Sequence, residues 1–360
     1  MSRPLRAEIR VAALRHNLQR VRDSAPSSRI IAVVKANGYG HGMQIVAHAL
    51  NDADAFAVAS IDEAINLRES GIHQPILLLE GFFDESDLLL LQAYSLQPVI
   101  HTEHQLELLE KANITYPFDV WLKINTGMNR LGFRLSEFSS AYRRLQESDA
   151  VQNVHAMTHF ACADDRSDSM TAKQIECFDQ TLANTSLACT LANSAGILGH
   201  PDSHRDWVRP GIMLYGANPF VDADAASLNL QPVMNLKSEL IAVHDVAAGE
   251  SVGYGAEWVC EHDTRVGVVA GGYGDGYPRH APAGTPVLVN GQRVPLIGRV
   301  SMDMITVDLT DCDASIGAPV VLWGDGLPAD EIAGHAGTIA YELFCNVAPR
   351  VPRVEVKDEL

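Results

Sequence analysis

The sequence predicts an α/β chain in two parts: a (β/α)8 barrel of the TIM type over residues 1–228, then a mainly-β domain over 229–360. Three observations predict it. A length of 360 residues exceeds what one hydrophobic core usually supports. Up to about residue 220, eight short β-rich runs alternate with helical patterns, the rhythm of strands joined by helical crossovers. After about residue 228 helical periodicity fades, and short strands punctuated by Gly, Pro and Asp take its place. A doubly wound sheet is the alternative for the first part.

The strands of the first part are read at 30–36, 55–60, 75–80, 97–101, 119–125, 154–159, 188–193 and 208–214. Several are nearly continuous apolar runs, as strands buried on both faces are. Between them, 61–70, 85–93, 103–113 and 173–182 carry apolar residues at helical spacing. Residues 221–229 read as a linker. Strands of the second part are read at 236–246, 265–269, 286–289, 293–297, 304–308 and 319–323.

The charge balance excludes several partners. With 27 Lys and Arg against 45 Asp and Glu, the net charge is −18. Such a surface repels phosphate backbones and anionic lipid, so neither nucleic acid nor membrane is an expected partner. The longest apolar stretches, such as 76–79 and 88–91, are far too short to span a bilayer. The start, MSRPLRAEIR, has no apolar signal core, so a cytoplasmic location is expected. The KDEL of Lys357–Leu360 is an address read only in the secretory pathway, and is taken as coincidence. The six cysteines form no C-x-x-C pair and none has metal-ligand spacing with a histidine, so reduced thiols and no metal are expected. The glycines at 271, 272, 274 and 276 are no dinucleotide fingerprint, because no helical pattern follows them.

Lys35 closes the first apolar run, in AVVKANGYGHG. The carboxyl ends of barrel strands form the active face of such a fold. A lysine closing an apolar strand is partly desolvated, which favours the neutral amine needed to attack a carbonyl. On spacing alone, a lysine snorkelling from a strand end is the better reading.

The run AVVKANGYGHG closely resembles the cofactor-lysine motif of alanine racemases. The resemblance continues through WLKINTGMNRLGF (121–133), MTHFACAD (157–164), LANSAG (191–196), VRPGIMLYG (208–216), VGYGAEW (252–258), GYGDGYPR (272–279), GRVSMDM (298–304) and YEL (341–343). These runs come in the family's order and span nearly the whole chain.

The resemblance implies interconversion of L- and D-alanine with pyridoxal 5'-phosphate (PLP), which Lys35 holds covalently. It implies that Lys35 also moves the α-proton on the D side, and that Tyr254 serves the L side. Two fixed bases on opposite faces spare one base from travelling, but a tyrosine works as a base only where its surroundings poise it. Tyr39, Ser194, Gly211, Ile212 and Tyr341 match positions that hold the cofactor's phosphate; hydroxyls and backbone amides are adequate anion donors. Arg209 matches the arginine facing the pyridine nitrogen. An arginine stays protonated and keeps that nitrogen unprotonated, which weakens the electron sink and disfavours transamination. His159 matches a histidine supporting it.

Arg130 matches the arginine reaching the cofactor's phenolic oxygen and the substrate carboxylate. Lys123 matches a lysine often carbamylated in the family, which would turn a cation beside Arg130 into an anion. Met302 matches a substrate-pocket residue; Tyr273 and Asp303 line the entrance, and Arg299 and Asp164 lie further out. In the family Tyr254, Tyr273, Met302 and Asp303 come from the partner subunit, so a homodimer with shared active sites is implied. Two departures stand out: Thr190 replaces a histidine found in some members near Arg209, and Ser301 stands at a position that is cysteine in some members. A relative acting on serine or larger amino acids, a barrel-fold PLP decarboxylase and a PLP-binding regulatory protein are the alternatives.

Overall fold

The computed structural model describes residues 3–221 and 225–356. The chain opens with β1 (Arg6–Arg10), which runs directly into a helix over Val11–Ser24. Eight parallel strands follow: β2 (Arg29–Val33), β3 (Ala55–Val58), β4 (Ile76–Leu78), β5 (Leu96–Ile100), β6 (Phe118–Lys123), β7 (Val151–Met157), β8 (Cys189–Thr190) and β9 (Trp207–Val208). Each pairs with the next, and β2 pairs with β9, so the barrel closes. Every residue of β3 and β4 is buried, which explains why these strands read as unbroken apolar runs.

The helices after β3, β4 and β5 start where a side chain caps them. Ser60 Oγ accepts from Glu63 N, Asp84 accepts from the amides of Ser86 and Asp87, and Thr102 Oγ1 accepts from Gln105 N. These caps set the helix starts near the carboxyl ends of the strands, the end on which the site is built.

The second part begins at β10 (Met234–Val246), followed by the small ribbon β11 (Ser251–Val252) and β12 (Trp258–Val259). Then come β13 (Thr264–Ala270), β14 (Pro286–Val289), β15 (Gln292–Ile297), β16 (Met304–Asp308), β17 (Pro319–Trp323) and β18 (Arg353–Val356). A bulge between Leu240 and Ala242 bends β10, whose first half pairs with β1 and β17 and whose second half pairs with β13. With β13, β16, β15, β14 and β17 in sequence, the ring closes on β10. One apolar core runs continuously from the barrel into this sheet.

All eight barrel strands and six strands of the second part fall where the sequence places them, with shifted ends. The last two barrel strands are much shorter than read. Pro210 and Gly211 break the run at 208–214, and its end, Ile212–Tyr215, is a buried 3-10 turn. Strand β1 goes unread because five residues flow into a helix with no breaker between. It joins the second sheet, between β10 and β18. Strands β11, β12 and β18 were also unread, as were the helices Val11–Ser24, Met43–Ala49, Phe138–Glu147, Ser194–Gly199, Ala329–Ala336 and Ala340–Asn346. The KDEL of Lys357–Leu360 lies outside the described residues, as do Asp222–Asp224 of the linker. No helix among the described residues is long and apolar enough to cross a membrane.

Candidate active site

Lys35 was expected to close the first barrel strand, but β2 ends at Val33 and Lys35 opens a short turn beyond it. That turn is unusual. Ala36, Asn37, Gly38 and Tyr39 all have φ between 49 and 62°, a left-handed run. Such a conformation costs roughly 1–2 kcal/mol for each residue other than glycine. The neighbours hold it. Gly38 N donates to Val34 O (2.8 Å), Gly40 N to Ala36 O (2.9 Å) and Gly42 N to Asn37 O (2.9 Å). Asn37 Oδ1 accepts from Met43 N at 2.9 Å. The Glu63 carboxylate accepts from Ala36 N at 2.6 Å and from Ala59 N at 2.9 Å. Glu63 was missed in the sequence, although Ser60-Ile61-Asp62-Glu63 has capping-box spacing. One of its oxygens stays at the start of its own helix, on Ala59 N, while the other clamps the turn after Lys35.

The turn delivers Tyr39 onto Tyr215, with ring centroids 4.6 Å apart, and Tyr215 donates to Val33 O at 2.9 Å. Burial pushes the hydroxyls of Tyr39 and Tyr341 well above the usual tyrosine range, so both stay protonated donors. A Cβ at residue 211 would lie 2.6 Å from Tyr39 Oη, so any larger residue there would have to displace that hydroxyl. Ser194 Oγ accepts from Gly211 N (2.9 Å) and Met213 N (3.3 Å). Hydroxyls and backbone amides thus converge at one end of a cavity of about 430 Å³.

Cationic side chains line the same cavity. Arg209 is buried and donates to Thr158 O (2.6 Å), Thr190 Oγ1 (2.8 Å) and Leu191 O (3.1 Å). His159 Nδ1 lies 3.5 Å from its Nη2. Thr190, a departure noted in the sequence, therefore supplies a neutral acceptor. Among the described residues no carboxylate pairs with Arg209; burial lowers its pKa to about 10. Burial first, then Arg209, Lys123, Arg130 and Lys35, hold His159 well below its ordinary value, so its ring is neutral. Lys123, 8% exposed at the end of β6, is pushed down to about 8 by burial and then by Arg209, Arg130 and Lys35. Arg130 is exposed on the loop after β6, which Asn125 shapes by accepting from Gly127 N (3.1 Å) and Asn129 N (3.0 Å).

This cationic cluster has a measurable consequence. The folded pKa of Lys123 lies below its unfolded value of 10.5. The burial penalty is therefore fully present below about pH 8, and disappears as pH rises from there to 10.5. In the cofactor-free protein, Lys123→Met is expected to raise stability at pH 7 by on the order of 3 kcal/mol. The advantage should shrink across that window in denaturant melts. An advantage that is independent of pH would show that the charge of Lys123 is not the cause.

Lys35, Tyr39, Lys123, Arg130, His159, Ser194, Arg209, Gly211, Ile212 and Tyr341 all line the one cavity. Glu80, Asn193 and Cys345 line it too and were not foreseen; Asn193 lay within a quoted run, while Cys345 sits on an unread helix. Tyr254, Tyr273, Met302, Asp303 and Arg299 do not line it. Tyr254, Tyr273 and Met302 stand on the second domain, 68%, 41% and 53% exposed. Arg299 pairs with Glu257 beside Tyr254, and Asp303 accepts from Arg350 Nη2 at 2.7 Å. Asp164 lines a neighbouring cavity of about 490 Å³, which shares Asn193 and Tyr341 with the first. Among the described residues no group of His, Cys, Asp or Glu is arranged to hold a metal.

Comparison with known proteins gives a consistent result. The family model "Alanine racemase, N-terminal domain" matches residues 9–219, and "Alanine racemase, C-terminal domain" matches 233–355. The chain is 51% identical over 357 residues to the alanine racemase of Nitrosospira multiformis, covering 98% of this chain and all of that one. It is 54% identical over 347 residues to that of Aeromonas hydrophila, covering 96% and 97%. The crystal structure of a biosynthetic alanine racemase from Pseudomonas aeruginosa superposes with a TM-score of 0.96 at 48% identity, covering 98% of this chain and 99% of that one. The alanine racemase of Acinetobacter baumannii superposes with a TM-score of 0.94 at 38% identity, covering 98% and 100%. With two family models covering both domains and relatives above half identity along nearly its full length, the chain belongs to the alanine racemase family.

Proposed function

We propose that the protein interconverts L-alanine and D-alanine, with PLP as its cofactor. One observation carries the reading: a lysine, a buried arginine with no carboxylate partner among the described residues, and a cradle of hydroxyls and amides meet in one barrel-mouth cavity. The residues fit the cofactor's chemistry. The hydroxyls of Tyr39, Ser194 and Tyr341 and the amide of Ile212 suit a phosphate, and the Gly211 amide, by donating to Ser194 Oγ, leaves that hydroxyl's own proton free to donate. Lys35, Lys123, Arg130 and Arg209 face it with one carboxylate, Glu80, among the cavity's lining residues; that balance suits a polyanionic cofactor with an anionic substrate.

When bound, PLP supplies a sink for the electron pair left at the substrate's α-carbon once its proton departs. Lys35 would hold the cofactor through its amine and would handle the proton on the D side. The partner's Tyr254 handles the L side. Arg209, protonated with its pKa near 10, would donate to the pyridine nitrogen, which would leave that nitrogen unprotonated and the sink weak. Thr158 O, Thr190 Oγ1 and Leu191 O hold the guanidinium, and neutral His159 lies beside it. Decarboxylases on this barrel use a carboxylate at that position, which Arg209 does not provide. Arg130 grips the substrate carboxylate. Lys123, with its pKa near 8, has neutral amine available to bind carbon dioxide, and the resulting carbamate would orient Arg130.

The active form is a homodimer. Exposed Tyr254, Tyr273 and Met302 on the second domain are the residues that a partner would bring to the cavity. Chiral analysis of products from a panel of L-amino acids tests the reading. D-alanine should form fastest, ahead of D-serine and larger products. No D-alanine from PLP-loaded protein would overturn it.

A further inference from the structure

Behind the cationic side chains of the cavity lies a buried polar chain that the reaction itself does not touch. Gln174 sits fully buried on the helix Met170–Leu182. Its Nε2 donates to His159 O and to Thr126 Oγ1, each at 3.0 Å, and its Oε1 accepts from Ala161 N at 2.9 Å. This orientation is forced, because a flipped amide would set NH2 against the Ala161 N–H and oxygen against the His159 carbonyl. Thr158 Oγ1 donates to Ile124 O at 2.9 Å, and it lies 2.8 Å from Thr126 Oγ1. The hydroxyl protons therefore run one way, from Gln174 to Thr126 to Thr158 to Ile124 O.

The consequence concerns Arg209. Its shortest hydrogen bond goes to the carbonyl of Thr158, and His159 follows next in the chain. Gln174 pins both sides of that carbonyl: the Thr158 side chain through Thr126, and the backbone of His159 and Ala161 directly. We infer that Gln174, with Thr126, is a positioning residue pair for Arg209: they fix the strap that aims its guanidinium at the pyridine nitrogen. The inference rests on the role of Arg209 given above.

Two substitutions test it in the PLP-loaded holoenzyme. Gln174→Glu keeps the volume and the acceptor for Ala161 N, but even protonated it supplies one proton where the amide supplies two, so His159 O or Thr126 Oγ1 loses its donor. Thr126→Val removes the linking hydroxyl at nearly constant volume, and decides the matter if the first variant binds no cofactor. Each should slow racemisation roughly 10-fold or more, as small misplacements near a reacting centre do. Each should also raise the ratio of transamination to racemisation, and show a long-lived absorption band to the red of the resting cofactor. Thr126→Ser, which keeps the hydroxyl, should return both to wild type. Wild-type spectrum and product ratio in Gln174→Glu and Thr126→Val, when Arg209→Glu alters them, would overturn the inference and leave the reading of Arg209 standing. If Arg209→Glu alters neither, the reading falls, and the inference with it.

Discussion

Lys35→Ala and Tyr254→Phe are each expected to lower alanine racemisation by about 10³-fold or more, the scale of removing a positioned acid or base. The two losses should look different. On the roles proposed above, Lys35→Ala deletes the covalent anchor as well as a proton carrier, yet leaves Tyr39, Ser194, Arg209 and Tyr341 lining the cavity. PLP should still bind, with the absorption of the free aldehyde, and borohydride should no longer fix it to the peptide carrying residue 35. Tyr254→Phe removes one hydroxyl from a side chain 68% exposed in the single chain. The fold should change by less than about 0.5 kcal/mol, and the resting spectrum should match wild type. Substantial activity in either variant would remove that residue from the reaction.

Arg209→Glu is expected to slow racemisation by roughly 10²-fold and to raise the share of transamination. Glutamate reverses the charge facing the pyridine nitrogen, which favours protonation there and strengthens the electron sink. A long-lived red-shifted band should accompany the change. Stability should fall too. Thr158 O and Leu191 O would lose their donor, and an unpaired buried acceptor costs about 1–3 kcal/mol. A stable variant with unchanged spectrum and product ratio would mean that the arginine does not face the nitrogen.

Much of this was legible in the sequence for a physical reason. Strands β3, β4 and β5 lie inside the barrel with helices outside, so they had to be apolar runs flanked by helical spacing and caps. The site's own residues were legible mainly through resemblance, because Ser194 or Gly211 alone reads as an ordinary turn residue. What stayed hidden depends on distant contacts. Strand β1 takes its place only when β10 and β18 arrive on either side, more than 200 residues later. Glu63 reads as a helix cap, and only the left-handed turn at Ala36 draws one of its oxygens away. Gln174 reads as one polar residue on an amphipathic helix; its burial follows from Thr126 and His159, which lie on other loops. Helix Ala340–Asn346 was overlooked beside the run YEL, though it brings Tyr341 and Cys345 to the cavity.

The central claim is that each active site joins Lys35 of one chain to Tyr254 of another, and mixing two inactive variants tests it most directly. A two-fold dimer makes two equivalent sites. Lys35→Ala and Tyr254→Phe subunits, expressed together, pair at random. In a mixed dimer one site carries both defects and the other carries neither. About half of the dimers are mixed, so racemisation should recover to roughly a quarter of wild type. Sites contained within one chain always hold one defect. Activity that stays at the level of the separate variants would contradict the shared site, even with both residues essential.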